Sequence, residues 1–427
     1  MLHLNVVVLP ALEAGANEDP LFHLDGGPGV AATHAASFYA NEGKEYRRRR
    51  EVVLVDQRGT GKSNPLSART EPRSPQQFLS EMYPVDYVRS LRQALEPFAD
   101  LTQYTTAIAM DDLDDVREVL AYERINLFGL SYGTRAALVY MRQHPTRVHS
   151  AILMGVAPTD LHIPSQHARA AQRAMELLLE ECNHDAACRE AFPELRREWE
   201  ELLARLQENP ARAEYTPRDK SAPVMVQIER DIFTEKLRNA MYSPHGARKI
   251  PRIIHHAARG DFTPFLDLAI PANRAEPQFI ADGMYLSVTC AEDVPFIDQE
   301  ATARANAGNW FRNYRVEQQT LACSLWPRSK IPERYHEPVS SEVPTLIISG
   351  EADPVTPPEL GATTARTLSN SRQIVVAHLA HMPDGLTNAE CLDTVMLEFL
   401  DEPDAKNLDI SCVAKITPPP FAVSGSD

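Results

Sequence analysis

Ile125-Asn126-Leu127-Phe128-Gly129-Leu130-Ser131-Tyr132-Gly133-Thr134 reads as a buried strand that runs into Gly-x-Ser-x-Gly, and Arg135-Ala136-Ala137-Leu138-Val139-Tyr140-Met141 continues it as a helix. Strand, sharp turn and helix are the context in which a serine is lifted clear of the backbone as a nucleophile. On so tight a turn, side chains at 129 and 133 would collide with neighbouring backbone, and glycine has no Cβ to collide. The helix N-terminus beneath Ser131 favours developing negative charge.

The rest of the chain must supply a scaffold for that turn. Its 427 residues predict a large α/β core carrying an insertion, or two domains. Hydrophobic residues at 43% and charged residues at 24% are ordinary for a globular protein. A net charge of −16 argues against nucleic acid or an anionic membrane as partner, because both demand a basic surface. No apolar run approaches the roughly 20 residues that span a bilayer. Met1-Leu2-His3-Leu4-Asn5-Val6-Val7-Val8-Leu9 has no basic region and no small-residue cleavage site, so it reads as an edge strand and not as a signal peptide.

Six cysteines fall as Cys182/Cys188, Cys290/Cys323 and Cys391/Cys412. Six allow fifteen pairings, of which pairing neighbours is the simplest. Cys182 and Cys188 lack standard zinc spacing, so a small disulfide loop is the preferred reading. Three disulfides would imply an oxidising compartment, which favours an exported protein whose targeting segment lies outside this sequence over the alternative, a cytosolic one.

Working outward from Ser131, Pro20-Leu21-Phe22-His23-Leu24 is an earlier apolar strand that ends in Asp25-Gly26-Gly27-Pro28-Gly29. Gly27-Pro28-Gly29-Val30-Ala31-Ala32 also satisfies a dinucleotide fingerprint. Pro28 removes an N–H where a pyrophosphate is cradled, and the next acid, Asp56, follows too late, so no cofactor is expected. The same loop instead points backbone N–H groups at Ser131. Gly27, with Gly26 as the alternative, and Tyr132 would form an oxyanion hole.

Glu51-Val52-Val53-Leu54-Val55 is a strand running into Asp56-Gln57-Arg58-Gly59-Thr60-Gly61-Lys62-Ser63. Aspartate stands where a phosphate loop needs its first glycine. Asp56 and Arg58 are expected to brace this turn against the Gly27 loop. Residues 66–104 read as an irregular excursion with a short helix, residues 112–120 as a helix, and residues 150–156 as the next strand.

From 158 to 340 strand signals thin out and amphipathic helices dominate, as at 168–181 and 193–207, where Leu177, Leu178, Leu179, Trp199, Leu202, Leu203 and Leu206 read as core stripes. Leu286-Ser287-Val288-Thr289-Cys290-Ala291-Glu292-Asp293 reads as a short strand finishing in acids. Pro344-Thr345-Leu346-Ile347-Ile348-Ser349-Gly350 and Arg372-Gln373-Ile374-Val375-Val376 restore the strand pattern. Strands alternating with helices mean a mostly parallel sheet flanked by helices. The expected organisation is a core built from 1–157 and 341–427, with a mainly helical cap inserted over 158–340.

Asp353 follows the first of these late strands and His381 the second, giving the chain order Ser131, Asp353, His381 of an α/β-hydrolase triad. A serine hydroxyl is a poor nucleophile without a base to take its proton. His381 would be that base, and Asp353 would fix its tautomer. His378, at the strand end, and Glu351 are the rivals. Activity is expected to rise as His381 loses its proton.

These motifs resemble the peptidase branch of the α/β-hydrolases, the proline iminopeptidases and the tripeptidyl-aminopeptidase-like (TAP-like) enzymes. The resemblance rests on Gly26-Gly27-Pro28-Gly29, Asp56-Gln57-Arg58-Gly59-Thr60-Gly61, Gly129 to Thr134, Gly350-x-x-Asp353-Pro354-Val355-Thr356-Pro357, His381, and the C-terminal Leu408-Asp409-Ile410-Ser411-Cys412 and Pro419-Pro420-Phe421. It implies an α/β-hydrolase fold and a serine aminopeptidase that takes amino acids or short peptides from substrates with a free N-terminus, with no metal or cofactor. Glu292 resembles a cap-side glutamate that binds the substrate amine. Asp25 departs from the pattern, standing where many relatives have histidine. An esterase or lipase acting on small acyl esters, or a binding protein on an inactive scaffold, would share the same fold.

Overall fold

The structure, a computed structural model, describes residues 2–15, 18–67, 74–217, 222–271 and 279–424. Part of the passage read as an irregular excursion, 68–73, lies outside the described residues. The strands among the described residues are β1 (Val6–Leu9), β2 (Glu18–Leu24), β3 (Arg50–Val55), β4 (Ile125–Leu130), β5 (Val148–Met154), β6 (Ala211–Tyr215), β7 (Val224–Ile228), β8 (Thr345–Gly350) and β9 (Ser371–Val376). Seven of them form one sheet in the order β1-β3-β2-β4-β5-β8-β9. Only its β1–β3 pair is antiparallel.

Strands covered on both faces read as continuous apolar runs, and alternate side chains serve opposite layers. Phe22, Val53, Leu127, Leu153 and Ile347 enter one apolar cluster. Their neighbours Leu21, Val52, Leu54, Ile152, Leu346 and Ile348 enter the other, which packs against the helix Glu390–Asp401 through Leu392, Val395 and Phe399. The first cluster is closed by the helices Thr106–Val119 and Tyr132–Gln143, through Met110, Leu113, Ala136 and Val139.

The register places the functional loops together. Leu24 pairs with Gly129, Leu130 with Met154, and Gly350 with Val376. The C-terminal ends of these parallel strands therefore open onto one edge of the sheet, where ligands of open α/β folds bind.

Between β5 and β8 the chain adds no strand to this sheet among the described residues. The helices His167–His184, Leu195–Glu208, Arg230–Ala240 and Ile250–Ala258 share a separate core around Trp199, Phe233 and Phe265. The expected stripe Trp199, Leu202, Leu203 and Leu206 is buried there. β6 and β7 form an antiparallel hairpin in this region that the strand count had passed over. Residues 282–293 are not a strand: Asp282–Glu292 is a helix, buried from Gly283 to Glu292. A helix covered all round shows no amphipathic period, so its β-branched residues imitate a strand. It packs with Leu66, Leu91, Leu95 and Tyr132. Neighbouring cysteines are joined, Cys182–Cys188, Cys290–Cys323 and Cys391–Cys412.

Candidate active site

Ser131 has φ +56° and ψ −122°, a left-handed conformation that costs energy for a residue with a side chain. The surrounding backbone enforces it. A Cβ at Gly133 would sit 1.9 Å from the Leu24 carbonyl oxygen, and one at Gly129 would sit 2.6 Å from the Gly133 carbonyl oxygen. The elbow is thus pressed against the end of β2. Ser131 N–H donates to the Met154 carbonyl at 2.9 Å, and Thr134 Oγ1 donates to the Ser131 carbonyl at 2.6 Å.

Asp353 and His381 meet at the same edge. His381 Nδ1 lies 2.8 Å from Asp353 Oδ2, and both side chains are buried. Asp353 Oδ1 also accepts from Val355 N–H at 2.8 Å and Thr356 N–H at 2.9 Å, and Oδ2 accepts from Thr356 Oγ1 at 2.8 Å. Burial alone would raise this carboxyl. The His381 charge and the hydrogen bonds from His381 and Thr356 outweigh it and hold the pKa below the usual carboxylate value. The imidazole is flanked by the Tyr242 ring, edge-on at 5.1 Å between centroids.

Gly155 makes room for this imidazole: a Cβ there would be 3.2 Å from His381 Cε1. Since Met154 bonds Ser131 N–H, serine and histidine both adjoin the two-residue stretch Met154-Gly155. Both line one cavity of about 1840 Å³. Among the described residues, Ser131 Oγ and His381 Nε2 make no hydrogen bond to each other. Such bonds commonly tighten only when substrate is bound.

The rivals lie elsewhere. His378 Nδ1 is 2.9 Å from Glu181 Oε1, turned towards the helix His167–His184. Neither His378 nor Glu351 lines the cavity. Gly26 and Gly27 are separated by their hydrogen bonds. Gly26 N–H donates to Asp25 Oδ1 at 2.7 Å, whereas Gly27 N–H has no partner among the described residues. Tyr132 opens its helix, where the first N–H groups have no intrahelical acceptor. Asp56 bonds Thr33 N–H and Oγ1 at 3.0 and 2.8 Å, just beyond the Gly27 loop. Arg58 does not share in that brace; it forks onto Asp112 with two 2.6 Å bonds.

Glu292 is a correction. It is absent from the cavity wall and fully buried. Its Oε1 accepts from Thr106 N–H at 2.6 Å, and its Oε2 accepts from Thr106 Oγ1 at 2.7 Å and from Tyr335 OH. Thr106 Oγ1 is in turn 2.7 Å from Tyr132 OH. Ending a helix and not a strand, the side chain turns into the core beneath the elbow and has no access to a substrate amine. The adjacent Asp293 bonds Arg135 at 2.8 Å, both side chains fully buried. Two consecutive acids thereby reach the helix that follows Ser131, Asp293 directly at Arg135 and Glu292 at Tyr132 through Thr106.

Burial pushes the Glu292 carboxyl up to about 7, against the pull of Tyr335, Arg135 and Thr106. An acid whose pKa is higher folded than unfolded binds more protons in the folded state between the two values. Its contribution to stability therefore falls as pH rises from its ordinary 4.5 to about 7. Glu292→Gln, which mimics the neutral acid, is expected to gain stability relative to wild type on going from about pH 5 to about pH 8. Urea unfolding of both proteins at the two pH values measures this, and a constant difference refutes it.

Sequence reasoning quoted Thr356 only as part of a motif and passed over Tyr242, which stands in a helical passage with no local signal of a site. The same holds for Glu235, Arg238 and Arg315, which line the cavity as a buried ion-pair cluster. Among the described residues no three His, Cys, Asp or Glu side chains converge as metal ligands.

A parallel sheet in this order, with an elbow serine and an acid–histidine pair on later strand ends, defines the α/β-hydrolase class. The family model described as alpha/beta hydrolase fold matches residues 19–224, and the one described as TAP-like protein matches residues 308–412. The chain belongs to the α/β-hydrolase fold family, with a TAP-like C-terminal part. It is 23% identical over 441 residues to tripeptidyl aminopeptidase of Streptomyces lividans, covering 94% of this chain and 78% of that protein. It is 22% identical over 396 residues to serine protease Hip1 of Mycobacterium tuberculosis, covering 81% and 72%. A probable proline iminopeptidase of Streptomyces coelicolor is 33% identical over 138 residues, covering 32% of this chain and 33% of that protein. Among solved structures, proline iminopeptidase of Mycobacterium smegmatis aligns over 94% of this chain and 96% of its own, at 18% identity and a TM-score of 0.42.

Proposed function

We propose that this chain is a serine aminopeptidase that releases N-terminal amino acids or short peptides through an acyl-enzyme on Ser131. The observation that carries the reading is the Asp353–His381 hydrogen bond, with His381 lining the same cavity as the strained Ser131. His381 takes the Ser131 proton through Nε2 as Oγ attacks the carbonyl carbon, then gives it to the departing amine. Asp353 holds the other ring nitrogen protonated and stabilises the imidazolium. The N–H groups of Gly27 and Tyr132 meet the oxyanion, each worth about 3–4 kcal/mol in the transition state. Water, activated by the same histidine, then hydrolyses the ester. No step needs a metal or cofactor.

The relatives' names favour a peptidase, and the cavity exceeds the roughly 300–1,000 Å³ of a typical small-molecule site, which suits an extended chain. With Glu292 outside it, and Asp25 engaged by the Gly26 N–H, the acids left for a substrate ammonium are Glu81, Glu235, Asp282, Glu390 and Asp393. In this reading the helical passage over 158–340 acts as a cap that restricts entry to chain ends. The three disulfides fit an oxidising compartment, so we place the protein outside the cytoplasm.

A panel of prolyl- and alanyl-anilides and tripeptidyl-anilides, with free and blocked amines, run beside short acyl esters, tests the reading. Free-amine anilides are expected to be cleaved with the higher kcat/KM. Preference for the esters would make the chain an esterase, and no turnover of any substrate would leave it a binding protein.

A further inference from the structure

We propose that Asp25 is the positioning residue of the oxyanion loop: by taking the Gly26 N–H it leaves the Gly27 N–H as the donor that faces Ser131. This rests on the acyl-enzyme reading above.

Asp25 is the first residue beyond β2, and its backbone is fixed. Position 24 is paired to Gly129, and the carbonyls of Leu24 and Asp25 lie 1.9 and 2.9 Å from where a Gly133 Cβ would be. The side chain then folds over its own successor, with Oδ1 accepting from Gly26 N–H at 2.7 Å. Oδ2 stands 3.6 Å from His23 Nε2, a buried nitrogen with no hydrogen-bond partner of its own. The other nitrogen of that ring, Nδ1, is 3.0 Å from Tyr39 OH. His34 is the further titratable neighbour. Burial alone would raise the carboxyl, but His23 and the Gly26 N–H hold it below the usual carboxylate value, so it is ionised at neutral pH.

The consequence falls on the next peptide. Gly26 is packed on the nucleophile: a Cβ there would be 3.1 Å from Ser131 Cβ and 3.6 Å from Ser131 Oγ. Gly26 and Gly27 impose little conformational preference of their own, and Gly27 already holds φ +107°. The Gly26 carbonyl accepts from Val30 N–H at 3.4 Å, a long neutral bond, so the charge-assisted bond on the preceding N–H, about twice as strong as a neutral one, is the firmer restraint against turning a carbonyl towards the developing negative charge. The carboxylate beside the oxyanion would otherwise be a liability. Here its charge is spent on the loop's own N–H and faces the His23 ring.

Asp25→Ala is expected to lower kcat by about 10- to 100-fold on whichever substrate wild type turns over best, with KM changed by less than about threefold, the pattern of a lost oxyanion donor. Asp25→Asn keeps an acceptor for Gly26 N–H and is expected to recover most of kcat. The Gly26 amide proton, followed by NMR, should move upfield in the alanine variant and stay near its wild-type shift in the asparagine variant. A kcat within about threefold of wild type in Asp25→Ala would overturn the proposal, as would Asn falling as far as Ala. So would a Gly26 amide proton indifferent to both changes. A wild-type chain inert on every substrate would instead defeat the acyl-enzyme reading, while the amide shift would still decide whether Asp25 sets this loop.

Discussion

Ser131→Ala should lower turnover by about 10⁶-fold, with folding unaffected. The hydroxyl is the only atom group removed, and alanine fits wherever serine fits, so the strained turn held by Gly129, Gly133 and the Met154 carbonyl persists. What disappears is the attacking atom. The rest of the constellation acts only on that atom, so nothing compensates. Substrate should still bind, leaving its dissociation constant within a few-fold of the wild-type value, and labelling by a fluorophosphonate should be lost. Retention of peptidase activity, or continued labelling at another residue, would remove Ser131 as nucleophile.

Asp353→Asn should cost about 10⁴-fold in kcat with little change in KM. The exchange keeps size and keeps an acceptor for the Val355 and Thr356 N–H groups. It places an NH₂ group against His381 Nδ1 in place of the Oδ2 that now lies 2.8 Å away. The ring must then carry its proton on Nε2, the nitrogen that has to receive one from Ser131. Because the carboxylate is also held below its usual pKa, wild type owes stability to it above the unfolded carboxyl value, and loses it as pH falls through the folded value. Unfolding of wild type and variant across that acid range should converge as pH falls. Steady-state kinetics at neutral pH reads the main effect; a loss below about tenfold would assign the orienting role elsewhere.

Much of this site could be read from the chain because its parts are signalled locally. The elbow announces itself through two glycines around a serine between a strand and a helix, and the register confirms why glycine is required at each. Asp353 and His381 each follow an apolar run at the point where a parallel strand must end. Three residues carry the chain from His378 at the strand end to His381 in the loop; in the structure His381 lines the cavity and His378 turns to Glu181.

Other features carried no such signal. The helix Asp282–Glu292 is buried on every side, so its sequence has neither the period of a surface helix nor the alternation of a half-exposed strand. Read as a strand, it leaves Glu292 at a strand end, and the family resemblance then gives that residue the substrate amine; its partners are instead Thr106 and Tyr335, residues 186 and 43 positions away. Arg58 was assigned to the nearer loop and found Asp112 instead.

The amino-acid sequence by itself determined the α/β architecture, the chain order of Ser131, Asp353 and His381 at successive strand ends, and the glycines that make the turn possible, because periodicity and turn chemistry act over a few residues. Only the tertiary structure decided which N–H groups of the loop after β2 are free, which acids line the cavity and which lie beneath it. Those outcomes depend on hydrogen bonds and desolvation between segments far apart in the chain, and neither quantity exists until the segments have packed.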